Sequence, residues 1–379
     1  MKIISISNIN LETDNGDAHA IRTKLLHKGL EKKIDLEIFS YSTAQHVEKQ
    51  IPSGKYLFSS NLGKIKIAVY INHIVNSFYF IFFLCRIKRQ TSLLIDKLPI
   101  NLVIPFIFFK LFRKNKVIAQ YHEFLIYHSP PSKLYIRYIK DFHYCLLKIL
   151  LKAVDFLIVI SHEHSKYYKK FLKKEAQILI VPILIDASLS ITCRKIDDFS
   201  RFKICYAGAI SKSNGIELLL EAIKNNSKLE LLIFGPSDKT YFEILKHNYF
   251  SYSNIKFEKA KSNQETKIVL SQQDLLVIPK IQDLRSVGYI PTKLADFLFS
   301  GTPVLATNIG ELDKYIIDGH NGYLVKADNL PEMREKINNI SLKSVNELRS
   351  IGENGILTSK MFHYEKQVES ILSEIFRNE

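Results

Sequence analysis

Apolar runs of strand length recur along the chain, separated by segments of helical length. In the first half the runs are Ile3–Ser7, Leu36–Phe39, Leu93–Asp96, Val117–Tyr121, Phe156–Ser161 and Ile178–Pro182. In the second half they are Phe202–Gly208, Leu229–Gly235, Ile255–Phe257, Leu275–Pro279, Pro303–Thr307 and Gly322–Val325. This alternation predicts an α/β protein with parallel sheets covered by helices on both faces. Twelve strands would be unusual for one sheet, so the pattern predicts two doubly wound, Rossmann-like domains of about six strands each. The polar, non-periodic stretch Asp186–Ser200 marks the boundary. One domain is expected over residues 1–190 and a second over 195–360. Within the remaining 361–379, Val368, Ile371, Leu372 and Ile375 make a helical stripe that can pack back on the first domain or on the second.

Two apolar segments of the first half raise the question of a membrane. Between Lys66 and Arg86 lie 19 residues without formal charge, ending in Phe78–Cys85, which reaches the length of a spanning helix. Asn72, His73, Asn76 and Ser77 fall at helical spacing on one polar stripe, so the segment reads as an amphipathic helix. A span here would also separate the first strands from the rest of their sheet. Leu98–Phe109 has 12 uncharged residues and two prolines, too short to cross, and is followed by Lys110, Arg113, Lys114 and Lys116. Aromatic faces beside basic clusters suit the surface of an anionic bilayer, and a buried helix with a solvated basic end fits the pattern equally well.

Composition narrows the picture. The chain has 379 residues, 46% hydrophobic and 24% charged, enough to fill real cores, which excludes a disordered or fibrous protein. Cys85, Cys145, Cys193 and Cys205 lie far apart with no C-x-x-C pair. That argues against a disulfide scaffold and a cysteine zinc site and for a reducing compartment. The first residues read as a buried strand, without the apolar core and cleavage site of a signal peptide, so a cytoplasmic location is expected. The formal charge of +15 is uneven: residues 1–200 hold 30 basic against 16 acidic residues, and 201–379 hold 23 against 22. Such a balance implies an anionic partner. With no groove-reading motif present, nucleic acid falls below an anionic membrane surface and its phosphorylated lipids.

The most specific stretch is Gly288-Tyr-Ile-Pro291-Thr292-Lys293-Leu-Ala-Asp296, continuing to Ser300-Gly301-Thr302-Pro303. Pro291 suits the first turn of a helix, and Lys293 and Asp296 then share a face. A lysine in the first turn can hold phosphate oxygens, and a carboxylate one turn on can accept two hydrogen bonds from a ribose diol. A capped surface helix with an ion pair explains the same spacing. The second stretch, Tyr206-Ala-Gly208-Ala209-Ile-Ser-Lys212-Ser-Asn214-Gly215, is a strand, a glycine turn, a polar loop and a helix start, with Lys212 placed to reach a phosphate. His122 follows a strand beside Glu123, where a site residue or a structural hydrogen-bonding histidine fits. His162-Glu163-His164 puts its histidines on different sides of a helix, so it reads as a solvated helix start rather than a metal site.

These stretches, with Leu232–Pro236 (including Gly235), Gly310-Glu311 and Gly319–Leu324, resemble the donor-binding half of family 4 retaining glycosyltransferases with the two-domain glycosyltransferase B fold. In the first half, Gly16-Asp17-Ala18 resembles the family's glycine loop. Tyr121-His122-Glu123, Ala153–Ser161 and Ile180-Val181-Pro182 with Asp186 also resemble its pattern. The resemblance implies two domains facing across a cleft and transfer of a hexosyl group from a UDP- or GDP-linked donor to an acceptor hydroxyl. It implies a metal-independent reaction with no cofactor. Lys293, Lys212 and His122 would be catalytic, with His122 near the transferring sugar. Gly16, Gly208, Gly235, Gly288, Pro291, Thr292 and Asp296 would bind the donor. The acceptor, a lipid-linked or surface polysaccharide intermediate, would bind the basic first half. The protein would then be peripheral on the inner face of the cell membrane, with Lys110, Arg113, Lys114 and Lys116 as its patch.

Two departures stand out. The family's Arg and Lys flanking the loop after the first strand of the donor half are Ala209 and Asn214 here, and the first of its two spaced glutamates is Gly288, the second being Asp296. These changes keep two alternatives open: a nucleotide-sugar epimerase of similar fold, for which Glu123 is the main acid/base candidate, and a non-catalytic partner with a decayed donor site.

Overall fold

The structure, a computed structural model, describes residues 2–8, 18–41, 55–56, 66–126, 133–186, 201–283 and 286–377. It divides into two compact units, residues 1–184 with 364–379, and residues 185–363.

The first unit runs β1 (Lys2–Ser7), α1 (Ala18–Glu31), β2 (Asp35–Ser40), β3 (Lys55–Tyr56), α2 (Lys66–Arg86), β4 (Ser92–Ile95), α3 (Ile100–Phe112), β5 (Val117–Tyr121), α4 (Leu134–Leu151), β6 (Phe156–Val159), α5 (His162–Lys169) and β7 (Gln177–Ile180). Its seven strands are ordered β3-β2-β1-β4-β5-β6-β7, and every pair is parallel. Successive residues of a strand point to opposite faces. Accordingly Ile4, Leu93, Val117 and Leu157 pack with Phe80, Phe106 and Leu150 from α2, α3 and α4. Their neighbours Ile3, Leu94, Ile118 and Ile158 pack on the other face with Leu26 and Leu30 of α1. Both faces are dry, which is why the strands read as continuous apolar runs.

The second unit runs β8 (Phe202–Ala207), α6 (Ile216–Ile223), β9 (Leu229–Phe234), α7 (Lys239–Asn248), β10 (Ile255–Glu258), α8 (Asn263–Ser271), β11 (Leu275–Ile278), α9 (Lys293–Phe299), β12 (Val304–Asn308), β13 (Tyr323–Lys326), α10 (Leu330–Ser341) and α11 (Val345–Ser359). Its six parallel strands are ordered β10-β9-β8-β11-β12-β13. Ser262 and Ser344 start α8 and α11 with reciprocal capping boxes. The last helix, α12 (Tyr364–Ile375), belongs to the first unit, where Val368 and Ile371 complete the core over α1.

All twelve expected strands are present, and the fold class is the expected one. The short β3 was not foreseen. Three local readings differ. In α2, Ser77 turns inward and donates to the Asn101 carbonyl (2.9 Å), while Phe78 and Phe82 are exposed. Ser77 therefore meets α3, while the side that carries Phe78 and Phe82 faces outward. At the start of α5, Ser161 accepts from the His164 amide, but the His164 ring is buried and stacks on Phe124 at 4.0 Å. Pro291 precedes α9 rather than lying in its first turn, because its carbonyl takes the Leu294 amide in a tight turn (3.0 Å) that leads into the helix.

Candidate functional site

In the second unit the strand order reverses between β8 and β11, and in open parallel sheets ligands gather beyond the carboxyl ends of strands at such a point. A cavity of about 180 Å³ lies there, lined by Tyr206–Ala209, Lys280, Tyr289 and Lys293 among others. It is smaller than the roughly 300–1,000 Å³ of a drug-sized site, so it suits one part of a ligand, such as a diphosphate. The local sequence keeps this spot open. After β8 the chain passes Gly208, whose missing side chain leaves room for the Tyr206 hydroxyl and the Lys293 ammonium: an added Cβ would stand 2.8 and 3.1 Å from them. Gly235, at φ 147°, brings its backbone so close to the Gly208 carbonyl that a Cβ would fall 1.9 Å from that oxygen. A 3-10 turn over Lys212–Asn214 then ends at Gly215 in the left-handed region, φ 71°. There a Cβ would strike the Pro279 carbonyl at 1.7 Å, so only glycine can start α6.

Two lysines enter this cavity. Lys293, the first residue of α9, donates to the Ala207 carbonyl. Burial lowers its ammonium to about 8, partly opposed by Asp296. Lys280 follows β11. It is 5% exposed, and its Nζ donates to the Ser213 carbonyl (2.8 Å), stands 3.6 Å from Asp283 and lies 5.7 Å over the Tyr289 ring. Each ammonium is thus held in a fixed place at the cavity wall. Lys280 escaped the sequence reading. Its signal was a lysine directly after a fully apolar strand, at the edge where such folds bind ligands.

The other candidates of this half are spread around the two lysines. Pro291 and Thr292 line the cavity. Gly288 turns the chain at φ 63°, one residue before Tyr289, whose ring fills the place near Lys280. Asp296 sits half-buried one turn along α9, outside the cavity lining. Burial raises its carboxyl above the ordinary range, opposed by Lys267 and Lys293. Lys212 is exposed and does not line the cavity. At Ala209 and Asn214 the loop closes on itself: the Asn214 side-chain amide and the Tyr206 hydroxyl both donate to the Ala209 carbonyl at 2.7 Å.

The first unit has its own polar cluster at the carboxyl ends of β1, β4 and β5. Arg22 Nε donates to His122 Nε2 (3.0 Å), and His122 Nδ1 lies 2.8 Å from His19 Nδ1. His19 Nε2 is 3.5 Å from the buried carboxylate of Asp96, which also accepts from the Asn8 amide and the Gln120 side chain. Because Nε2 of His122 accepts, its proton is on Nδ1 and points to His19, whose own proton then faces Asp96. Burial, then Arg22, His19 and His164, hold His122 well below the ordinary histidine range, so it is neutral. His122 is thus one link in a chain of hydrogen bonds that runs from Arg22 to Asp96. Asp96 and His19 were not among the residues expected from sequence. Gly16 lies outside the described residues. Of the basic segment, Lys110 turns inward to the Asn115 carbonyl (2.6 Å) and Lys116 to the Ile375 carbonyl (3.0 Å). Arg113 donates to the Cys85 carbonyl (3.2 Å), and Lys114 is exposed.

Among the described residues no group of three His, Cys, Asp or Glu side chains is arranged to hold a metal ion. Residues 197–358 match the family described as Glycosyl transferases group 1, so the second unit carries a domain of that family. An uncharacterized glycosyltransferase of Methanocaldococcus jannaschii is 32% identical over 168 residues, 44% of this chain and 45% of that relative. Among solved structures, the sucrose-phosphate synthase of Thermosynechococcus elongatus superposes with a TM-score of 0.76 at 16% identity, over 100% of this chain and 98% of the other. Anabaena HepE in complex with UDP gives 0.69 at 13% identity, over 100% of both chains. At these identities the likeness is one of fold.

Proposed function

From a second unit that carries a Glycosyl transferases group 1 domain, we propose that the chain is a retaining hexosyltransferase. It would use a UDP- or GDP-linked sugar and act on a lipid-linked or surface polysaccharide intermediate at the inner face of the cell membrane. The observation that carries this reading is the pair Lys280 and Lys293 entering one small cavity at the strand switch point, with no carboxylate in its lining. Sugar transfer breaks the bond from the anomeric carbon to the terminal phosphate oxygen, and the electron pair stays on that oxygen. Ammonium groups already held in place by the Ser213 and Ala207 carbonyls meet the developing charge without reorganising. They supply the positive charge that a divalent ion would, so the reaction is read as metal-independent. Asp296 would accept the ribose hydroxyls, Tyr289 and Gly208 would bound the phosphates, and the Arg22–His122–His19–Asp96 chain would orient the acceptor half. The epimerase alternative calls for acid/base carboxylates at the sugar, and this lining holds none.

Calorimetric titration with UDP and GDP, followed by nucleotide release from the matching sugars, tests the proposal. Saturable binding heat and acceptor-stimulated release are expected. Absence of heat at millimolar nucleotide would instead establish a decayed donor site, the reading that Ala209, Asn214 and Gly288 motivate.

A further inference from the structure

We propose that the outward side of α2, α3 and α4 is a docking surface for an anionic lipid bilayer. The inference takes its purpose from the lipid-linked acceptor read above, but its geometry stands without it. These helices cover one face of the first sheet, and their inner sides already fill its core with Phe80, Phe106 and Leu150. The outer side of such a helix should be polar. Instead each helix carries aromatic residues at i, i+4 spacing on its exposed side: Phe78 and Phe82, Phe108 and Phe112, Tyr138 and Phe142. Phe112 is 81% exposed. More than half of the exposed large apolar side chains among the described residues lie on these three helices. The helices are neighbours. The Ser77 hydroxyl and the Arg113 guanidinium join α2 to the α3 segment, and His143 of α4 reaches the Leu98 carbonyl at 2.8 Å. An apolar surface of this extent marks an interaction site.

The charge beside it selects the occupant. Neither α2 nor α3 contains an acidic residue. Arg86, Lys88 and Arg89 at the end of α2 and Lys114 after α3 are exposed, and the Arg86 guanidinium lies 4.2 Å over the Phe82 ring. Aromatic side chains at the acyl boundary with cations among the phosphates is the arrangement of a protein lying on an anionic membrane. A second copy of this chain would bring the same basic rim against itself in a symmetric interface, at a cost in like-charge repulsion. No described helix is long and apolar enough to cross a membrane, so the surface lies on the bilayer. The basic segment singled out in the sequence contributes mainly Lys114; the rest of the rim is at residues 86–89.

Co-sedimentation of the full chain with vesicles tests this. Vesicles of equal parts phosphatidylcholine and phosphatidylglycerol should carry the protein down, and phosphatidylcholine alone should not. Phe112→Ser and Phe82→Ser, exposed positions that leave the core intact, should each weaken binding about tenfold. R86Q/K88Q/R89Q should abolish the preference for the anionic lipid. All three variants should keep the melting temperature of the parent and its nucleotide binding heat, which separates this result from failure of the transferase reading. Equal partition to both vesicles, or unchanged binding of the aromatic variants, would overturn the proposal. So would a lipid-free dimer that these same variants dissociate.

Discussion

Burial lowers the Lys293 ammonium to about 8, and two opposite pH dependences follow. The charge that would meet a diphosphate is present near neutrality and is lost as pH rises through 8, so nucleotide diphosphate affinity should fall between about pH 7 and about pH 9. Stability should move the other way. The unfolded chain keeps this proton up to about 10.5, so between the two values it binds more protons than the native state, and stability rises with pH. Titration calorimetry and thermal melts from about pH 7 to about pH 10.5 check both signs; an affinity unchanged as pH passes through 8 would remove Lys293 from the donor site. Lys293→Ala should lower turnover by about 10²–10³-fold. Asp296→Ala should weaken donor binding by about 1–3 kcal/mol if its carboxylate holds the ribose, and unchanged affinity in a folded variant would end that role. Lys293 and Gly208, which line the cavity, were legible because each stands in a spaced motif, whereas Asp296 of the Lys293 motif lies outside the lining. Lys280 was not, because a lysine after a strand looks solvated until the later chain lays Tyr289 beside it. Lys212 drew attention as a lysine in the glycine loop, but the 3-10 turn leaves it in solvent.

At the scale of elements, the strands were readable because nearly all of them are buried on both faces, so their apolar runs are uninterrupted. The two-residue β3 pairs only at Phe39↔Lys55 and Ser40↔Tyr56, too short to leave a pattern. The outward side of α2 escaped for a different reason: periodicity reports that a helix has two sides, not which one meets the sheet. Loop geometry was partly legible. A glycine before an apolar helical segment suggests a start, whereas the contact that demands glycine at 215 comes from Pro279, far along the chain. Gly215→Ala should therefore destabilise the second unit by about 1–3 kcal/mol, read from urea unfolding, and should weaken nucleotide binding as β8 and β11 shift at the cavity. An unaffected midpoint would mean that the turn relaxes at no cost.

The whole molecule is threaded so that the first unit is closed by the last helix. The stripe of α12 was visible in the sequence, but its seat was not, since either unit offered an apolar face. Tyr364, Val368, Ile371 and Ile375 are all buried in the first unit. At about 1.5–3 kcal/mol for each buried side chain, their contribution rivals the roughly 5–15 kcal/mol that holds a domain together. The ion pairs Lys32–Glu365 and Lys33–Glu369 beside them are exposed and add little. Removing residues 364–379 should abolish the first unit's calorimetric transition while the second unit's persists; a melting profile identical to that of the full chain would show that α12 is dispensable. The same threading orders events on the ribosome. Residues 1–184 emerge first, yet the side of α1 at Gly29, which meets Tyr364 and Val368, has no cover until α12 has been made. At about 5–20 residues per second, the nascent first unit waits on the order of 10–40 s with that apolar face open. The second unit, whose segments are contiguous, is synthesised and able to fold in the meantime.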